Sequence, residues 1–266
     1  MTGALRPVPS HAELLDLTGE DPYVRLGIPD PLPTTALLGT RAVAVERHGW
    51  RHGFVVLPLS GGGVHDVANL LVALRDEGHL CERGVRSLTV PQPYAALLPR
   101  LFELGPGGDW EWMWTTEPPQ PVPGEERLVP LDDDLHAREL EGLSRAHSPR
   151  GEGDPGSGTT LHWLGVRDAR GALVAAGGLQ RLASGAPHLA GIVVATPLRG
   201  AGLGAAVSAG LTRLALTDSG VSTLGMYSDN ASARRLYRRL GYRTAYAWSS
   251  RRLPAASPDI TRPHRR

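Results

Sequence analysis

The stretch Arg199-Gly200-Ala201-Gly202-Leu203-Gly204 has the clearest chemical potential in the chain. Its glycines remove side chains that would keep a ligand away from the backbone. Successive amides in such a turn, continued into a helix amino-terminus, form a concave anion site that the helix dipole reinforces. Arg199 adds a guanidinium able to grip a phosphate. The spacing is G-x-G-x-G, whereas a dinucleotide fold wants G-x-G-x-x-G. Ala205-Ala206 stand where a P-loop needs lysine and then serine or threonine. Taken alone, the loop is either a pyrophosphate cradle or a structural turn.

Further candidates flank it. Asparagine occurs only at Asn69 and Asn230, so Asn230 invites a specific explanation, and a helix cap is one. Tyr237 could pack its ring in a core or present its hydroxyl to a ligand. His188 opens a strand and precedes Val194 by an even number of residues, which puts both on one face of a regular strand. An unperturbed imidazole, with pKa about 6.5, suits proton transfer near neutrality. The plainer reading of His188 is a polar residue at the exposed start of a strand. Tyr227, Ser228 and Asp229, at the end of the next strand, could contact a second substrate.

Two motifs together resemble a known family. Arg199 to Gly204 fits R-x-x-G-x-G/A, and Asn230, Ala233, Leu236, Tyr237, Gly241 and Tyr242 fit N-x-x-A-x-x-L-Y-x-x-x-G-[FY]. Both are signatures of the Gcn5-related N-acetyltransferases, the GNAT superfamily, and the resemblance covers roughly 126–252. It implies a mixed sheet, splayed between the strands at His188 and Thr223 and flanked by helices, with acetyl-coenzyme A in the V. By position, Arg199, Gly200, Ala201, Gly202, Leu203 and Gly204 would hold the pyrophosphate. Ile192, Val193 and Val194 would line the pantetheine arm, and Asn230 and Ala233 would contact it. Tyr237 would also touch the cofactor and protonate the departing thiolate, and His188 would serve as base. The acceptor would be a primary amine of a small molecule or peptide. A non-catalytic acyl-coenzyme A binding or sensing protein of the same fold is the alternative. Thr196-Pro197 departs from the family's usual proline and acidic residue before the loop.

The elements needed to position these residues are legible. The fold class is α/β (α+β), with a smaller α/β domain over 1–116, a proline-rich and poorly packed linker over 117–125, and the catalytic domain over 126–252. A disordered tail is expected over 253–266. In the first domain, strands are expected at 42–45, 53–59 and 85–90, with helices at 64–77 and 94–104. Trp110 to Trp114 alternates like a half-buried strand. Gly61-Gly62-Gly63 has no basic neighbour in sequence to meet a phosphate. This half has the content of a degenerate second copy without a cofactor. In the second half, Asp132-Asp133-Asp134 is expected to cap a helix reaching about Ala146. The glycine- and proline-rich 148–160 reads as a mobile loop. A hairpin, a strand from His188, a helix from Leu203, a strand from Thr223, a helix from Ala231 and a strand from Tyr242 follow.

Composition narrows the function classes. A chain of 266 residues with net charge +1 carries no field to attract nucleic acid or an anionic membrane. No apolar run approaches the roughly 20 residues of a bilayer span, and Met1 to Ser10 lacks the apolar core of a secretory signal. A cytoplasmic protein is expected. The single cysteine, Cys81, excludes an intrachain disulfide and a multi-thiolate metal site; it reads as a buried small hydrophobe, and no metal is expected. All 28 basic residues counted as Lys+Arg are arginine, as in a bacterial genome of high GC content.

Overall fold

The computed structural model describes residues 4–32, 35–47 and 52–254. Two compact units share the chain. One takes in Met1–Asp21, Asp30–Asp109 and Trp248–Arg266, and the other Pro22–Pro29 and Trp110–Ala247. The expected tail lies, apart from its first two residues, outside the described residues.

The first unit begins with β1 (Arg6–Pro7) and α1 (His11–Thr18); α2 (Pro22–Gly27), next in the chain, belongs to the second unit. None of these short elements, nor β2 (Ala36–Leu38), has the length to show a periodic signal in sequence. β2, β3 (Ala42–Arg47) and β4 (Gly53–Pro58) are antiparallel neighbours, and β4 runs parallel to β5 (Ser87–Pro91) across the helix α3 (Val64–Asp76). α3 buries Val67, Leu70, Leu71 and Leu74 on one stripe, each contributing about 1.5–3 kcal/mol relative to exposure. α4 (His79–Glu82) carries Cys81, which is exposed and not buried as expected, because that short helix turns only part of one face inward. The helix expected at 94–104 is a 3-10 turn over Gln92–Leu97 followed by α5 (Leu98–Leu101). Pro93 and Pro99 lack the amide protons of a continuous α-helix.

In the second unit, β6 (Gly107–Thr115) pairs through Trp110–Thr115 with a later strand, described below. The proline-rich segment is not loosely extended. Pro119 is buried, Val122 packs on the core, and Glu125 receives Arg213 with Nε–Oε2 at 3.0 Å. β7 (Val129–Leu131), β8 (Thr160–Arg167), β9 (Leu173–Arg181) and β10 (Pro187–Val194) form an antiparallel meander. α6 (Ala137–His147) covers one face, and α7 (Leu203–Ser219) the other. β9 is buried on both faces, which explains its nearly unbroken apolar run. β11 (Ser222–Tyr227) is parallel to β10 and antiparallel to β6, and α8 (Ala231–Arg239) leads into β12 (Arg243–Arg252). The end of β12, from Trp248, pairs with β5 in the first unit.

The three aspartates do not cap α6 directly, since its N-cap is His136. Asp132 instead closes its own turn through the amides of Asp134 and Leu135. Asp133 reaches away, accepting from the Gly156 and Gly158 amides and from Trp163 Nε1 at 2.7 Å. Partial burial pushes its carboxyl up, but these three donors outweigh that and hold it below the ordinary carboxylate range. The 148–160 segment, expected to be mobile, is therefore tied to the sheet by charge-assisted hydrogen bonds.

Under the second unit's core, Thr212 donates to the Ser208 carbonyl, so Tyr242 Oη donates to Thr212 Oγ1 at 2.9 Å and accepts from Ser222 Oγ at 2.6 Å. Ser222 and Thr212 are fully buried. Tyr242→Phe leaves the Ser222 hydroxyl unpaired and is expected to cost about 1–3 kcal/mol, read as a lower denaturant midpoint at unchanged slope.

Candidate active site

β10 keeps its pairing with β9 to its last residue, Val194 opposite Ala175, but its register with β11 is confined to His188–Thr223 and Leu189–Leu224. Beyond that point the two parallel strands diverge. A register shift between Ala190 and Val193 accompanies the divergence, with Gly191 in the left-handed region at φ +64°. The bulge also changes the parity of the strand. Leu189, Ile192 and Val194 pack toward α7, whereas Val193 joins the cluster under α6. His188, adjacent to Leu189, thus faces away from Val194. This corrects the same-face expectation, because even spacing loses its meaning across an inserted residue.

Past β10, the chain enters the glycine loop and α7. Gly202 is the N-cap, at φ +81°, and among the described residues no side chain caps it. A side chain at Gly200 or Gly202 would meet nothing within 4 Å, so one side of the turn is open for close approach. The first turn of α7 contains no acidic residue. Those amides and the helix dipole suit a pyrophosphate. Arg199 lies beside the loop but is engaged with backbone: Nη2 donates to the His147 carbonyl at 2.5 Å and Nε to the Val194 carbonyl at 3.4 Å. It ties the end of β10 to the end of α6.

Asn230 caps α8, its Oδ1 accepting from the Ala233 amide at 3.0 Å. Ala233 and Leu236 pack on the core, and Tyr237 is buried within it, its ring edge-on to Tyr242 at 5.8 Å. Burial pushes the Tyr237 hydroxyl up to about 12. It remains protonated through the neutral range. A buried carboxylate on β6 fixes α8 in place. Glu111 Oε1 receives Arg234 Nε at 2.5 Å, its Oε2 receives Thr244, and Arg234 Nη2 also binds the Ser228 carbonyl.

On the opposite face, His188 Nδ1 lies 2.9 Å from Thr223 Oγ1, while Thr223 donates to the Pro187 carbonyl at 2.7 Å. The hydroxyl has one proton, and that bond uses it. The imidazole must therefore donate from Nδ1, which leaves the Nε2 lone pair unprotonated. Nε2 is 3.9 Å from where a side-chain carbon on Gly225 would stand. Burial lowers the imidazole to about 4, so the ring is neutral at physiological pH.

Residues 112–242 match the family model described as Acetyltransferase (GNAT) family. This segment is a GNAT acetyltransferase domain. No curated protein matches the sequence. Among solved structures, the chain is similar to an acetyltransferase of the GNAT family from Colwellia psychrerythraea, at 15% identity and TM-score 0.51, covering 95% of this chain and 100% of that one. It is also similar to a GCN5-related N-acetyltransferase from Kribbella flavida, at 17% identity and TM-score 0.51, covering 84% and 90%. A Drosophila protein gives TM-score 0.59 at 13% identity, covering 95% and 99%. These likenesses show the fold. Among the described residues, no helix is long and apolar enough to cross a membrane.

The GNAT domain also brings Arg150 and Glu152, which the sequence did not offer, onto the candidates Asp229 and Tyr227. Arg150 binds Asp229 through both carboxylate oxygens and lies over the Tyr227 ring at 4.6 Å, while Tyr227 Oη donates to Glu152 at 3.4 Å. Arg150 is an ordinary arginine in a glycine- and proline-rich stretch, and its partners lie more than seventy residues away. Thr223, Gly191 and the Glu111–Arg234 pair were equally silent, since each acts through pairing that only the fold creates.

The depressed His188 pKa links stability to pH. The unfolded chain takes up this proton near 6.5 and the folded chain only near 4, so stability present above pH 6.5 is lost as pH falls from 6.5 to 4. A chemical-denaturation series should show that slope, and His188→Gln should flatten it. Nitrogen-15 NMR at pH 7 should report protonated Nδ1 and bare Nε2; the reverse tautomer would remove the role assigned to Thr223.

Proposed function

We propose that residues 110–247 transfer the acetyl group of acetyl-coenzyme A to a primary amine of a small molecule or peptide by direct attack. The observation that carries this reading is the uncapped amino-terminus of α7 at the mouth of the β10–β11 divergence, on a domain that also holds a neutral His188 and a protonated Tyr237. Acetyl-coenzyme A supplies the activated acetyl thioester. The amides of Gly200, Gly202, Leu203 and Gly204 suit its pyrophosphate, with Arg199 at the start of the turn; the Ala201 amide, expected to join them, donates to the Leu198 carbonyl at 3.4 Å. Ile192, Val193 and Val194 present backbone for the pantetheine arm. Asn230, whose Oδ1 is used by Ala233, keeps its amide protons for that arm, with Ala233 beside it on the same helix.

In the reaction, the amine nitrogen bonds to the acetyl carbon and the carbon–sulfur bond breaks. His188 Nε2 accepts the proton that the nitrogen loses. Thr223 holds the ring in the tautomer that allows it. Tyr237 supplies a proton to the sulfur. The burial that raises the tyrosine would raise a thiolate beside it as well, so the two remain matched.

The first unit is read as a degenerate copy of the same fold. β3, β4, α3 and β5 repeat the antiparallel pair, helix and parallel strand formed by β9, β10, α7 and β11. Its glycine turn differs in one decisive way. The Gly63 amide is taken by Asp66 Oδ2 at 3.0 Å, which puts a carboxylate where a phosphate would sit. Arg41 does reach this turn from a distance in sequence, but donates to the Gly61 carbonyl. Asp66 therefore argues against a cofactor here.

Thiol release over a panel of amines tests the activity, with acetyl-coenzyme A binding measured separately by calorimetry. Tyr237→Phe should lower turnover at least about ten-fold, with acetyl-coenzyme A affinity within about two-fold. His188→Ala should lower turnover by about 10²–10⁴ and abolish the acid limb of the pH profile. Persistence of that limb would assign the base elsewhere. Binding without turnover on any amine would make the protein an acyl-coenzyme A sensor.

A further inference from the structure

The geometry points to an acceptor subsite over Gly225, walled by His188 and Trp110, that takes a primary amine carried on an aromatic group. This rests on the acetyltransferase reading above and extends it to the substrate class. Three registers of β6 against β11 put Trp114 opposite Thr223, Trp112 opposite Gly225 and Trp110 opposite Tyr227. Cross-strand partners share a face, and this is the face on which His188 meets Thr223. Leu224 and Met226, of the other parity, point into the core with α7. The His188 side of the strand pair is thus a row of aromatic rings interrupted at Gly225.

That interruption lies beside the base. A carbon on Gly225 would stand 3.8 Å from the Trp110 ring and 3.9 Å from His188 Nε2, so the imidazole lone pair and the indole flank the same small space. Further rings pack behind it. Tyr23, from α2, meets Trp112 edge-on at 5.3 Å, and Tyr246 meets Tyr23 at 6.0 Å. The outer rim is Tyr227, held under the Arg150 guanidinium.

The charged groups nearby are already engaged. Asp229 holds Arg150, Glu152 accepts from the Tyr227 hydroxyl, and Glu111, on the opposite face, holds Arg234 and Thr244. An acceptor with a second cationic group would therefore compete with existing ion pairs. One with a flat ring instead finds Trp110 and Tyr227 to pack against, in the edge-on or offset geometry that rings prefer, and can lay its amine nitrogen toward Nε2.

The test compares phenethylamine, n-butylamine and 1,4-diaminobutane on the full chain, by thiol release and by calorimetric titration with and without coenzyme A. Phenethylamine should show kcat/KM about ten-fold above the other two. Trp110→Ala should reduce that preference to about two-fold or less. Gly225→Ala adds a carbon in ordinary van der Waals contact and should fold normally, yet raise the phenethylamine KM at least about five-fold while leaving acetyl-coenzyme A affinity unaltered. Equal or better turnover of n-butylamine or 1,4-diaminobutane, or an unchanged KM in Gly225→Ala, overturns the proposal. If no amine releases thiol, phenethylamine binding that Gly225→Ala abolishes supports the subsite, and absence of binding overturns it. A protein that fails to bind acetyl-coenzyme A contradicts the donor reading alone, since the phenethylamine titration without coenzyme A still reads the subsite.

Discussion

Everything at the candidate site depends on β10 having to satisfy two neighbours with different geometry. It stays paired with β9 from end to end, across a register shift between Ala190 and Val193, but with β11 only at His188 and Leu189. The bulge at Gly191 absorbs the difference. Only a residue without a side chain fits there, because Gly153 of the 148–160 segment approaches to 3.0 Å from where a carbon would be added, and φ is positive. Divergence leaves a strand edge unpaired with β11, and the glycine loop that follows delivers the α7 amides to the same end of the sheet. One local irregularity thus brings a strand edge and a helix amino-terminus together.

The two faces of the divergence have different chemistry. On the α7 and α8 side, the groups are apolar or neutral hydroxyls, and the buried Glu111–Arg234 pair fixes the start of α8 through the Ser228 carbonyl. A buried ion pair of this kind adds little net stability, but it specifies one geometry, since leaving either charge alone is costly. On the α6 side, hydrogen bonding sets a tautomer. The chain of donors from His188 to Thr223 to the Pro187 carbonyl has a single consistent direction. The neutrality of His188 follows from burial, so the residue offers a lone pair without carrying a charge.

The two glycine turns, alike in their place between strand and helix, differ in what satisfies their amides. Both follow a strand and open a helix, and both are rich in glycine. In the first unit, Asp66 satisfies the Gly63 amide from within. In the second, the N-cap of α7 has no side-chain partner among the described residues, and no acidic residue occupies the first turn. A single carboxylate three positions into the helix is enough to give the anion site an internal occupant.

Local patterns along the chain specify where β10, α7, β11, α8 and β12 begin, each to within one residue, along with the glycine turn at Arg199–Gly204 and the cap of α8 at Asn230. These were legible because each rests on local physics: strand and helix periodicity, glycine where backbone must be bare, and a cap at a helix start. Tertiary structure decided the rest. It turned Asp133 from a cap into a clasp on Gly156 and Gly158, and brought Trp110–Thr115 beside β11. It packed the proline-rich run against α7, and put His188 on the face opposite Val194. Each depends on a partner far along the chain or on a bulge that breaks strand parity. A pattern of residue types cannot encode which distant strand will be the neighbour, and that choice sets what His188 and Tyr237 face.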